Sequence, residues 1–203
     1  MTEQPTILVS HGAPNLILRD DANCRFFRRL GSSLNRPAAI VCVSAHWDTE
    51  APMAGGAGLP PTIHDFYGFE EELYQMSYPC PGEPALAGRI AAILSAAAGS
   101  CAVSEHRGID HGAWVPLALM FPQADIPVLQ VSIQTSRDTR HHYRIGEALA
   151  PLRGENVLII GSGGATHNLR EFGRYPIDAD PVGYARDFDD WLADRIGRGR
   201  VAD

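Results

Sequence analysis

The sequence predicts an α/β fold: a single domain over residues 1–203 whose mostly buried central mixed β-sheet is flanked by helices, with the active site at the carboxyl ends of the strands. Three observations carry this. Continuous apolar runs at 6–10 (TILVS), 38–44 (AAIVCVS), 126–133 (IPVLQVSI) and 157–160 (VLII) read as strands buried on both faces. Helical patterns fall between them, which is the rhythm of crossover connections in a parallel-rich sheet. Glycine and proline gather at 49–61 and 78–84, where they mark long ordered loops inside one domain.

Taken in order, the first strand ends in His11-Gly12-Ala13-Pro14. A helix follows from about Asn15, with Phe26, Phe27 and Leu30 inward and Gly31 at its end. The second strand ends in Ala45-His46-Trp47, and a Gly/Pro-rich loop runs from Asp48 to Pro61. An aromatic-dense segment, Ile63-His64-Asp65-Phe66-Tyr67-Gly68-Phe69, leads into a short acidic helix from Glu70 to Tyr74. Pro84 to Ala98 is an Ala/Leu-rich helix with proline in its first turn. Cys101 to Ser104 reads as a strand, Val115 to Phe121 as a short helix, and Thr139 to Leu152 as an amphipathic helix. After the strand at 157–160, a last helix from Pro181 to Ile196 carries Phe188, Trp191, Leu192 and Ile196 at helical spacing.

Composition narrows the function. A net charge of −7 without a basic block excludes nonspecific nucleic-acid binding. No apolar stretch approaches the length of a membrane span. The start, MTEQPTILVSHG, lacks the charged and apolar regions of a secretory signal. Cys24, Cys42, Cys80 and Cys101 are dispersed without C-x-x-C spacing, so neither a zinc ribbon nor a disulfide framework is expected. These features predict a cytoplasmic protein with no nucleic-acid or membrane partner.

The chemistry gathers in the histidines. Three strands end in one: SHGAP, SAHW and GSGGATHNL. A single strand-end histidine is more often structural, but three in one α/β chain point to a rim where His11, His46 and His167 meet as neutral nitrogen ligands for a metal. His111 is a fourth candidate; Asp110 beside it offers a carboxylate, and Gly112 leaves room for a substrate. His64, Phe66, Tyr67 and Trp47 are candidates for the wall that holds an aromatic ligand. His106, His141 and His142 lack this setting and read as solvated. GSGGATHN lacks the Lys-Ser/Thr ending of a phosphate loop, and Ile160 stands where a G-x-S-x-G elbow needs its first glycine, so Ser162 is not read as a nucleophile.

SHGAPNL, VSAHW, IHDFYGF with EELYQ and YPCPGEP, GIDHGAWVPL with MFPQADIPVLQVSI, and LIIGSGGATHNL resemble, in order across nearly the whole chain, the DODA-type extradiol aromatic ring-opening dioxygenases of the class III (protocatechuate 4,5-dioxygenase β-subunit-like) superfamily. Ala13, where the family often has Ser, and Glu70, where it often has Pro, are small departures. The resemblance implies an enzyme that inserts O2 beside the diol of a small catechol-type, DOPA-like substrate and opens the ring. It implies Fe(II), or Zn(II) in the same site, held by His11 and His46. It gives His167 the part of ligand or acid/base, a base in the wider superfamily, and places His111 near substrate and oxygen; where His167 serves as a ligand, His111 is the remaining group for proton transfer.

One larger departure concerns the chain end. Family members continue past the last helix with a His-Pro-x-x-Glu/Asp-His segment that supplies a further ligand, whereas this sequence stops at Asp203, and neither Asp194 nor Asp203 replaces that ligand. The expectation is a domain lacking the C-terminal part of the family fold, or a site completed by waters or by the neighbouring subunit of a homo-oligomer. The competing expectations are an inactive member that binds metal or ligand, and a zinc hydrolase on the same histidines. The hydrolase lacks support from any H-x-H or H-E-x-x-H spacing.

Overall fold

The computed structural model describes residues 3–171, 173–176 and 179–199. The chain falls into two compact units, Met1–Gly163 and Gly164–Asp203. The first carries a six-stranded mixed sheet in the order β1-β6-β2-β5-β3-β4. Its strands are β1 (Thr6–Ser10), β2 (Ala39–Asp48), β3 (Met53–Gly55), β4 (Ala102–Ser104), β5 (Val128–Ile133) and β6 (Val157–Gly163). All neighbours pair in parallel except β3 with β5. The α/β class, the mixed sheet and the flanking helices are those that the sequence predicts.

Alternation along the strands divides the core into two layers. Ile40, Cys42, Leu158 and Ile160 face α1 (Ala22–Ser33) and α4 (His111–Met120), where they pack with Phe27, Trp114 and Leu117. Ala39, Val41, Val157 and Ile159 face α3 (Pro84–Ala98) and α5 (Thr139–Leu149), where they meet Ile90, Leu94, Ile145 and Leu149. Both faces of the central strands are buried, which is why these strands read as unbroken apolar runs. A further short helix, α2, spans Glu71–Gln75.

Several boundaries differ from expectation, each for a physical reason. Pro14–Leu18 is a 3-10 turn, and α1 starts later, where the Asp21 side chain accepts from the backbone amides of Asn23 and Cys24. Gly31 does not end α1. It is buried within the helix, where a β-carbon would overlap the Met120 carbonyl oxygen, so it allows α1 and α4 to approach. Phe26 is exposed, while Phe27 is the buried ring. β2 continues past Ser44 through His46 and Trp47, with a register irregularity against β5 between Val43 and Asp48. β3 lies inside the segment expected to be loop. α4 begins at His111 rather than Val115, and β6 runs on to Gly163.

His141 is buried rather than solvated, with its Nε2 2.9 Å from Gln134 Oε1. Burial pushes its pKa below the ordinary histidine value, helped by the charge of neighbouring His142 and of Arg137 and Arg144. In the second unit, α6 spans Gly183–Gly197, and Phe188 and Trp191 stack on it with centroids 5.6 Å apart. None of its residues is buried. Asp203 lies outside the described residues. Among the described residues, no helix is long and apolar enough to cross a membrane.

Candidate active site

β6 lies between β1 and β2 in the sheet, so the carboxyl ends of these strands bring His11, Ser162 and His46 side by side. α4 crosses above with His111 as its first residue. One ring nitrogen each from His11, His46 and His111 lies within 4.8 Å of the others. The ring centroids are 5.0 Å apart for His11 and His46, 5.2 Å for His11 and His111, and 4.0 Å for His46 and His111. His11 and His111 are buried and His46 is partly covered. Three imidazoles at such separations form a nitrogen donor set for a transition metal.

The surroundings aim the rings. Pro116 sits inside α4 and has no N–H to give to the carbonyl of Gly112, four residues back. The Ser162 hydroxyl donates to that carbonyl instead, at 2.5 Å. Its only hydrogen is then committed, so its oxygen must accept from His11 Nδ1, 2.9 Å away. This puts the His11 hydrogen on Nδ1 and turns Nε2 toward His46 Nε2, at 3.0 Å. Two ring nitrogens that close share a hydrogen, donated here by His46 Nε2, or hold a metal ion between them. The donor set therefore fits the metal that the family resemblance implies.

His111 is held by Asp65. One carboxylate oxygen accepts from the His111 ring Nδ1 at 2.9 Å and from its backbone amide at 3.0 Å. The other lies 3.5 Å from His46 Nδ1. Burial pushes the Asp65 pKa up, but the hydrogen bonds from the His111 ring and amide, together with the ring's charge, outweigh it and hold the carboxyl at about 2. The carboxylate adjacent in sequence, Asp110, has another task. It is fully buried and accepts from Ser44 Oγ at 2.6 Å, Arg107 Nη2 at 2.6 Å and Gln130 Nε2 at 2.9 Å. It therefore anchors the start of α4 to β2 and β5. Gly112 leaves room for the imidazoles themselves: a β-carbon there would lie 2.9 Å from His46 Cδ2 and 3.1 Å from His11 Cε1.

The aromatic candidates separate. The Phe66 ring stands edge-on to His111 at 5.8 Å and packs with Phe69 and Tyr74. His64 sits 5.7 Å from Phe66 and 5.9 Å from Trp114, with its Nε2 3.0 Å from the Met76 carbonyl. Trp47 is buried, with the Arg107 guanidinium 4.9 Å over its ring. Tyr67 is 92% exposed. His167 belongs to the second unit, between the end of β6 and the single 3-10 turn Leu169–Glu171. Sequence reasoning missed Asp65 and the buried partners Ser44 and Gln130. The signal for Asp65 was a lone acid within an otherwise aromatic segment.

The fold and this donor set define an α/β protein with a candidate metal site at the carboxyl ends of its strands, and comparison with known proteins gives its family. Residues 5–203 match the family described as the catalytic LigB subunit of aromatic ring-opening dioxygenase. The chain belongs to that family, whose members are extradiol ring-cleaving enzymes. It is 43% identical over 198 residues to the 4,5-DOPA dioxygenase extradiol of Beta vulgaris, covering 96% of this chain and 73% of the relative. It is 40% identical over 191 residues to the 4,5-DOPA dioxygenase extradiol of Escherichia coli strain K12, covering 94% and 70%. The crystal structure of an uncharacterized protein from Escherichia coli K12 superposes with a TM-score of 0.79 at 34% identity, covering 95% of this chain and 72% of that one.

Proposed function

We propose that this chain binds a catechol-type, DOPA-like diol at a metal held by His11 and His46, inserts O2 beside the diol and opens the ring. The observation that carries the reading is the convergence of His11, His46 and His111, in a chain with several relatives named 4,5-DOPA dioxygenase extradiol. Fe(II) is the proposed active metal; the same imidazoles also suit Zn(II), which has no redox chemistry. Bound Fe(II) would lower the pKa of the diol hydroxyls and link the diol electronically to O2.

The chain's own residues supply the rest. Asp65 accepts the hydrogen of His111 Nδ1, which leaves Nε2 as the nitrogen that takes a proton from a diol hydroxyl and later returns it. Phe66, beside the His111 ring, is the wall assigned to the flat substrate, with His64 packed behind it. Trp47, under Arg107, supports the strand end that carries His46. Tyr67 is proposed as an outer contact to substrate. On the strength of its motif alone, His167 is proposed as a further ligand or a second acid/base group.

The test is to load the protein anaerobically with Fe(II), add DOPA and simpler catechols, and follow O2 uptake and the yellow ring-opened product. Turnover is expected with Fe(II) and not with Zn(II). His111→Ala is expected to keep bound iron while losing about 10²- to 10⁴-fold in kcat. Stoichiometric iron with no turnover of any catechol would sink the dioxygenase reading. Loss of iron in His111→Ala would make His111 a ligand instead of the base.

A further inference from the structure

We infer that Asp65 is the positioning residue of the metal site: one carboxylate aims two of the three imidazoles. The inference rests on the proposal that His11 and His46 hold a metal, with the His111 ring beside it as the proton-transfer group. The geometry is asymmetric in a useful way. Oδ1 takes both donors of His111, the ring Nδ1 at 2.9 Å and the backbone amide at 3.0 Å, while Oδ2 is left facing His46 Nδ1 at 3.5 Å. The first contact places the His111 hydrogen on Nδ1. The second, too long for a hydrogen bond, places a negative charge where it favours a hydrogen on His46 Nδ1. Each ring then presents Nε2 to the centre of the trio, where His11 Nε2 already lies 3.0 Å from His46 Nε2. A carboxylate behind a ligating imidazole also raises its basicity as a ligand.

A purely structural role is available to the same side chain. The N-cap residue of α4, Asp110, makes no side-chain cap, because its carboxylate is taken by Ser44, Arg107 and Gln130. Asp65 reaches in from 46 residues away and caps the His111 amide in its place. The two roles separate in Asp65→Asn. The amide oxygen of Asn can still accept both His111 donors, so the cap survives. Its NH2 then faces His46 Nδ1, which favours an accepting Nδ1 and a hydrogen on Nε2, the wrong form for a ligand. In Asp65→Ala the cap is lost as well.

The experiment measures Zn(II) and Fe(II) affinity by anaerobic competition with a chromophoric chelator, and histidine tautomers by 15N NMR of apo and Zn(II)-loaded protein. In the wild type, His111 is expected to carry its hydrogen on Nδ1 in both forms, and His46 on Nδ1 in the loaded form. Asp65→Asn is expected to keep the wild-type melting temperature yet bind metal about 10- to 100-fold more weakly, no better than the less stable Asp65→Ala. Metal affinity in Asp65→Asn within twofold of wild type overturns the inference. So does a wild-type His111 hydrogen on Nε2, a result that needs no variant to fold. A wild type that binds metal but opens no ring defeats the dioxygenase proposal and leaves the positioning role standing.

Discussion

A methyl group at Gly112 would sit 2.6 Å from Ser44 Oγ, 2.9 Å from His46 Cδ2 and 3.1 Å from His11 Cε1. None of these neighbours is the loose end of a flexible side chain. Ser44 is tied to buried Asp110 at 2.6 Å, and the two rings are part of the donor set. Gly112→Ala is therefore expected to displace the imidazoles, with metal affinity falling at least about tenfold for a shift of this kind in the surrounding shell. Chelator competition on the variant checks it, and wild-type affinity would show that the rings tolerate the shift. At this scale the sequence was partly readable. His11 and His46 were metal candidates, together with His167, because few side chains hold a transition metal and strand ends are where α/β sheets bind ligands, whereas His111 stood out through Asp110 and Gly112 as a catalytic group. Asp65 was not, because the carboxylate nearest His111 in sequence is Asp110, while the one that holds its ring is 46 residues away. The Asp110 carboxylate is instead committed to Ser44, Arg107 and Gln130.

α4 shows why elements were read less sharply than residues. Its apolar content surrounds the helix, and nine of its residues are buried, so no amphipathic stripe marks where it begins. Its start is set by long-range partners: Asp65 on the His111 amide, and the anchors of Asp110. β6 runs past its apolar core because the backbone ladder continues through Gly161 and Ser162, which carry no apolar side chain, and β2 runs past Ser44 because it pairs again with β5 at Asp48 after an irregularity in register. β3 has three residues, too few for any periodicity. Gly31 was legible as a special position but not as the right kind. Its site against the Met120 carbonyl makes Gly31→Ala an overpacking change between α1 and α4. The expected loss is about 1–3 kcal/mol, since a backbone oxygen cannot turn away. At roughly 2–4 °C per kcal/mol for a domain this size, a thermal melt resolves it. Metal affinity should stay at the wild-type value, in contrast with Gly112→Ala, because Gly31 touches none of the three histidines.

At the scale of the whole chain, every residue of both apolar clusters lies between Ile7 and Ile160. The six strands also fall within Met1–Gly163, as do His11, His46, His111, Asp65 and Ser162. α6 adds no buried residue to either cluster. A fragment of residues 1–163 therefore has the complete sheet, both helical layers and the imidazole trio, and its size is ordinary for an independent domain. It is expected to fold with one cooperative thermal transition, because folding is driven by apolar burial and, among the described residues, every buried apolar side chain lies in this fragment. A fragment that remains unfolded would show that residues 164–203 contribute to the core by a route other than packing into the two clusters. The folded fragment also decides what His167 does. If the histidine of GSGGATHN is a metal ligand, its removal weakens metal binding about tenfold or more while the transition persists. If it is an acid/base group, the fragment binds metal as the full chain does and ring opening alone is lost.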